Sequence, residues 1–126
     1  MSRRKSPTQR QLKAGELIRR VLAEILQREH LQDPDLKGVS VTISEVRASP
    51  DLKHALVYAS PLGGENIEAV IAGLNRCARF LRGHLGREME MRSTPALKFV
   101  ADMSFDQAGK MQSLMDQVNM KPDAQD

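Results

Sequence analysis

The stretch Val39-Ser40-Val41-Thr42-Ile43-Ser44-Glu45-Val46-Arg47-Ala48-Ser49-Pro50-Asp51-Leu52-Lys53-His54-Ala55-Leu56-Val57-Tyr58-Ala59-Ser60 decides the architecture. Val39, Val41 and Ile43 alternate with Ser40, Thr42 and Ser44, the period-2 pattern of a half-buried, β-branched strand. The phase then slips by one residue, because Val46 and Ala48 continue the apolar set after Glu45, and a β-bulge is expected near Ser44-Glu45. Ser49-Pro50-Asp51 supplies turn residues, so Leu52 to Ser60 reads as a second strand returning antiparallel. Its Ala55, Val57 and Ala59 are interleaved with Leu52, Leu56 and Tyr58, which predicts some burial on both faces and a central place in the sheet.

Working outward, Thr8 and Gln11 form a T-x-x-Q capping box that opens a helix. Ala14, Leu17, Ile18, Val21, Leu22, Ile25 and Leu26 fall on one helical arc, predicting a face that covers the sheet until Asp33-Pro34-Asp35 stops the helix. Beyond Pro61-Leu62-Gly63-Gly64, the residues Ile67, Val70, Ile71, Leu74, Ala78, Leu81 and Leu85 keep helical spacing, and periodicity reads them as one helix closed by Gly86. Between Arg87 and Ala101 a strand is expected, from the alternation of Met89 and Met91, then Leu97, Phe99 and Ala101, with Pro95 marking a bulge or edge. After Ser104, Phe105, Ala108, Met111, Leu114, Met115 and Val118 outline a short amphipathic helix running into a polar tail. The fold class is α+β. A basic flexible arm over 1–8 and a C-terminal helix and disordered tail over 104–126 flank a single domain over 9–103.

Charge is segregated along the 126 residues, which matters more than the net +3. Residues 1–20 carry seven Lys/Arg against one acid, residues 21–75 four against eight, residues 76–98 six against two, and residues 99–126 two against five. Two basic blocks therefore flank an acidic middle, an arrangement that concentrates polyanions by releasing condensed counterions. No apolar run is long enough to span a bilayer and the N-terminus has no apolar signal region, so a cytoplasmic protein is expected.

Catalytic constellations are missing. His30, His54 and His84 have no i,i+4 partner, the lone Cys77 sits in an apolar stripe, and Asp51, Asp102 and Asp106 lie beside turns or helix starts where Asp caps backbone N–H groups. No metal, cofactor or enzymatic activity is expected. Arg76, Arg79 and Arg82 instead recur every three residues, a row that a helix would present as a ladder for phosphates; the structural alternative is a solvated face. Aromatic residues are scarce, which favours recognition of RNA backbone and shape over base stacking.

Two motif blocks sharpen this reading: V-T-I-S-E-V-R-x-S-P-D-L-x-x-A-x-V-Y from Val41 to Tyr58, and R-x-x-P-x-L-x-F-x-x-D-x-S from Arg92 to Ser104. Together they make the chain, from about Gln9 to Leu114, resemble bacterial ribosome-binding factor A. The resemblance implies a type-II KH-like fold of order αββααβ, a three-stranded sheet packed on helices. It also implies an interhelical kink in place of a GxxG loop, aligned with Cys77-Ala78-Arg79, where Arg79 replaces the family's glycine and would be strained if the kink needed a glycine's backbone angles. The implied RNA-binding residues are Arg3, Arg4, Lys5, Arg10, Lys13, Arg20, Arg76, Arg79, Arg82, Arg87, Arg92 and Lys98. The implied function is that of a monomeric, non-enzymatic assembly factor that binds the immature small ribosomal subunit and its rRNA, supports late rRNA maturation and growth in the cold, and is released by an assembly GTPase. A general RNA- or DNA-binding KH-like protein is the first alternative, and a protein-interaction module using the helices is the second.

Overall fold

A computed structural model describes residues 6–90 and 93–103. The chain runs α1 (Gln9–Arg28), β1 (Val41–Ala48), β2 (His54–Pro61), α2 (Ile67–Arg76), α3 (Ala78–Met89) and β3 (Ala96–Ala101). The three strands form one sheet of order β1-β2-β3, with β2 central, antiparallel to β1 and parallel to β3. This is the type-II KH-like α+β arrangement. The predicted bulge is present: pairing between β1 and β2 skips from Ile43 to Glu45, leaving Ser44 without a cross-strand partner. The Ser44 hydroxyl instead hydrogen-bonds the Asp102 carboxylate just beyond β3.

One face of the sheet carries the core. Ile43, Val46, Ala55, Val57, Ala59, Leu97 and Phe99 pack against Ile18, Leu22 and Ile25 of α1, Val70 and Leu74 of α2, and Leu81 and Leu85 of α3. The opposite face of β2 is only half-buried, and Arg47 there lies over the Tyr58 ring at 5.0 Å. Helix α1 begins at the expected capping box: Thr8 Oγ1 accepts from the Gln11 N–H while Gln11 Oε1 accepts from the Thr8 N–H. It approaches β1 so closely at Gly15 that a Cβ added there would sit 2.4 Å from the Val46 carbonyl oxygen. That contact explains a glycine in a helix interior, where it costs about 1 kcal/mol relative to alanine.

Four sequence expectations change. Leu17, placed on the buried arc, is 40% exposed, because the helix settles on Gly15 and turns its packed stripe to Ile18, Leu22 and Ile25. Helix α1 ends at Arg28, before Asp33-Pro34-Asp35: Glu29 is already extended, which lets Leu31 and Leu36 fold back onto the core. The long helix is two helices. Finally, the strand expected from Arg87 is confined to Ala96–Ala101, and α3 continues past Gly86 to Met89, which packs on the core from a helix. Gly86 serves packing, since a Cβ there would meet Thr94 Oγ1 at 2.5 Å; Glu90, with φ 52°, supplies the left-handed cap instead. The helix expected after Ser104 lies outside the described residues.

Candidate nucleic-acid interface

The break between α2 and α3 falls on Cys77, whose φ of −95° and ψ of 5° lie in the bridge region. Its N–H is shared between the Gly73 and Leu74 carbonyls, both at 3.1 Å, and its own carbonyl accepts from the Leu81 N–H at 2.9 Å, so the ladder tightens by one turn and restarts. No left-handed residue is involved: Arg79, aligned with the family's glycine, lies in the first turn of α3 and is not among the residues with positive φ. A strained arginine at this position is therefore ruled out. Burial pushes the Cys77 thiol up, with Asp33 adding to the shift, so the group is kept protonated rather than nucleophilic.

Asn75, which the sequence reading did not single out, and Asp33, read there only as part of a helix stop, lock the break in place. The Asn75 amide donates to the Phe99 carbonyl at 2.9 Å and accepts from the Phe99 N–H at 2.8 Å, pairing with the backbone of β3 as an adjacent strand would. Asp33, 6% exposed at its side chain, accepts from Arg76 Nε at 2.8 Å and Nη2 at 2.9 Å, while Asp35 accepts from the same Nη2 at 2.7 Å. The Arg76 guanidinium holds the Asp33 carboxyl below its usual range, helped by the Asp35 N–H, and the two acids raise Arg76 in turn. This fork ties the end of α2 to the loop before β1.

Of the expected row of Arg76, Arg79 and Arg82, Arg76 is paired with Asp33 and Asp35, whereas Arg79 and Arg82 come together with a third arginine. Arg79, Arg82 and Arg87 surround an open hollow of about 440 Å³ whose floor is Gly83 and Gly86, with Thr94 on one wall. Arg82 is steadied by donating through Nε and Nη2 to the Thr94 carbonyl at 3.0 and 2.7 Å, and no acid among the described residues neutralises it. Neither Arg79 nor Arg87 has a hydrogen bond or ion pair among the described residues. Four other arginines are paired with acids, whereas Arg10 and Arg20 on α1 have no ion pair among the described residues: Arg19 pairs with Glu16, Arg28 with Glu29 and Glu88, Arg47 with Glu45, and Arg76 with Asp33 and Asp35.

The remaining expected residues divide among other surfaces. Arg10, Lys13 and Arg20 are exposed on α1 at a spacing that puts them on one helix face, flanking the exposed Leu17. Lys98 alternates with buried Leu97 and Phe99 and so lies on the sheet face opposite the helices. Arg3, Arg4, Lys5 and Arg92 lie outside the described residues. Among the described residues no group of three or more His, Cys, Asp or Glu is placed to hold a metal ion, and no helix is long and apolar enough to cross a membrane.

Comparison with known proteins gives a single consistent result. The profile of the family "Ribosome-binding factor A" matches residues 10–115. Ribosome-binding factor A of Phenylobacterium zucineum is 56% identical over 117 residues, covering 93% of this chain and 81% of that protein. The crystal structure of ribosome-binding factor A from Thermus thermophilus superposes with a TM-score of 0.62 at 31% identity, covering 72% of this chain and 93% of that one. A Thermus thermophilus ribosome-binding factor A fitted into a cryo-EM map of its complex with the 30S subunit gives 0.58 at 32% identity, covering 71% and 91%.

Proposed function

The chain belongs to the ribosome-binding factor A family, and from that premise we propose that it binds the immature small ribosomal subunit, with the arginine surface of α3 contacting rRNA phosphates. The observation that carries this reading is the hollow itself: three guanidinium groups, none matched by an acid among the described residues, around Gly83, where the helix surface has no side chain. Arginine suits the role because its planar fork engages phosphate oxygens bidentately and is never deprotonated. The Thermus thermophilus relative fitted into a 30S complex supports the same class of target.

The protein acts by occupancy rather than catalysis. It holds rRNA during late maturation, including in the cold, and an assembly GTPase releases it when the subunit is ready. It works as a cytoplasmic monomer. The exposed cations of α1 and those of the segments 1–5 and 91–92 add a diffuse second contact, and Lys98 lies off this surface.

Sedimentation of a tagged protein through a sucrose gradient tests the proposal. Co-migration with free small subunits and absence from translating ribosomes is the expected result. Equal distribution over all RNA-containing fractions would instead support a general nucleic-acid-binding protein, and the proposal would fall.

A further inference from the structure

Helix α3 holds two interior glycines, and only one of them is explained by packing. Gly86 is required by Thr94, as described above. Gly83 is exposed, and a Cβ built on it meets nothing closer than Arg87 Nη1 at 3.7 Å, the far end of a flexible side chain. An alanine would fit there and would be the better helix former. Apart from the end of the Arg87 side chain, the space above Gly83 is open. Three residues before it stands Phe80, 49% exposed and thus a large apolar surface left in water, on the same helix face as Gly83 and Arg87 by the i,i+3 and i,i+7 spacing. Its ring makes an edge contact with His84, centroids 4.7 Å apart and planes at 66°, and about half of the residue remains exposed.

We infer that Phe80 is a base-stacking platform at the rim of the arginine hollow, so that α3 takes an unpaired nucleotide of RNA: base on Phe80, phosphates toward Arg79 and Arg87, with Gly83 giving the nucleotide room to lie against the helix. This rests on the proposed rRNA-binding function and narrows its target from any helical backbone to a bulge, loop or flipped base. The chemistry fits the residues. Every nucleobase has a π-face, and stacking on an aromatic side chain is insensitive to salt, whereas the arginine contacts are not.

The test uses the full chain with two RNA hairpins of equal length, one fully paired and one carrying a single bulged 2-aminopurine. Wild type should bind the bulged hairpin more tightly and quench its fluorescence. Phe80→Leu should lose about five- to a hundredfold in affinity for that hairpin, keep its affinity for the paired one, and keep the salt dependence of both; Phe80→Tyr should behave as wild type. Gly83→Leu should unfold no earlier than wild type yet bind the bulged hairpin poorly, a combination that a purely structural glycine would not give. Unchanged binding in Phe80→Leu, or equal loss on both hairpins, overturns the inference while leaving rRNA binding intact. If wild type binds neither hairpin and no small subunits, the proposed function fails with it.

Discussion

Among the described residues Arg79 and Arg87 lack acidic partners, whereas Arg76 is held by two carboxylates, and neutralising these arginines separates phosphate contact from structural pairing. Consider Arg79→Gln/Arg87→Gln. Each lost phosphate contact removes about 0.7 to 0.9 from the slope of log affinity against log salt. Two contacts therefore flatten the slope by about 1.4 to 1.8, and across a fourfold rise in salt the wild-type protein should lose about seven- to twelvefold more affinity than the variant. Arg82 is left in place because it also supports the Thr94 carbonyl. Arg76→Gln is the contrasting variant. It strips the buried Asp33 of its guanidinium partner, so it should lower the melting temperature while leaving the salt slope of the folded protein unchanged. Co-pelleting with purified small subunits, repeated between about 50 and 200 mM salt and accompanied by thermal unfolding, reads both quantities. A flattened slope in Arg76→Gln with no change in the double variant would refute the assignment of the α3 hollow as the phosphate site.

Arg79→Gly should destabilise by about 1 kcal/mol, because residue 79 sits in a regular helical turn; a melting temperature raised above wild type would show strain there after all. Gly15→Ala should cost about 1–3 kcal/mol by forcing α1 off the Val46 carbonyl, measured by urea unfolding, and a neutral result would mean the helix–strand contact is looser than 2.4 Å implies. The Asp33 carboxyl is depressed on folding, so its pairing stabilises fully above the ordinary value of 3.8 and is lost as pH falls through the lower folded value. Asp33→Asn should then be less stable at neutral pH and show a shallower acid limb, and parallel stability–pH curves for the two proteins would contradict this.

The strand pair and the capping box were legible in the sequence because their signals are local. β-Branched alternation, a phase slip at Ser44 and a Thr8–Gln11 box each fit within a few residues of their physical cause. The break at Cys77 was not legible from periodicity, since Ile67 to Leu85 keep one apolar stripe across it; only the resemblance to a family pointed there. Met89 misled for the opposite reason, as its alternation with Met91 in the sequence imitates a strand where residue 89 is still helical. The pairing of Arg76 was not legible either: Asp33 lies 43 residues earlier, and no spacing rule couples the two. Gly83 and Phe80 carried a readable signal, an unexplained helical glycine beside an aromatic and two arginines. It acquires meaning only once Gly86 is accounted for by Thr94.

The parallel pairing of β2 with β3 sets an order on how the domain forms. β1 and β2 close through a short turn, whereas Ala96 must find His54 from about forty residues away, after both intervening helices have turned the chain back. The hairpin is thus expected early and the third strand late, with Phe99 and its Asn75 clasp completing the core last. Until then the central strand has one bare edge, the situation in which a partly made sheet recruits a neighbouring chain. Stopped-flow kinetics would show the order directly: Val57→Ala should slow folding, whereas Phe99→Leu should mainly hasten unfolding. A Phe99→Leu protein that folds as slowly as Val57→Ala would place the third strand in the nucleus instead.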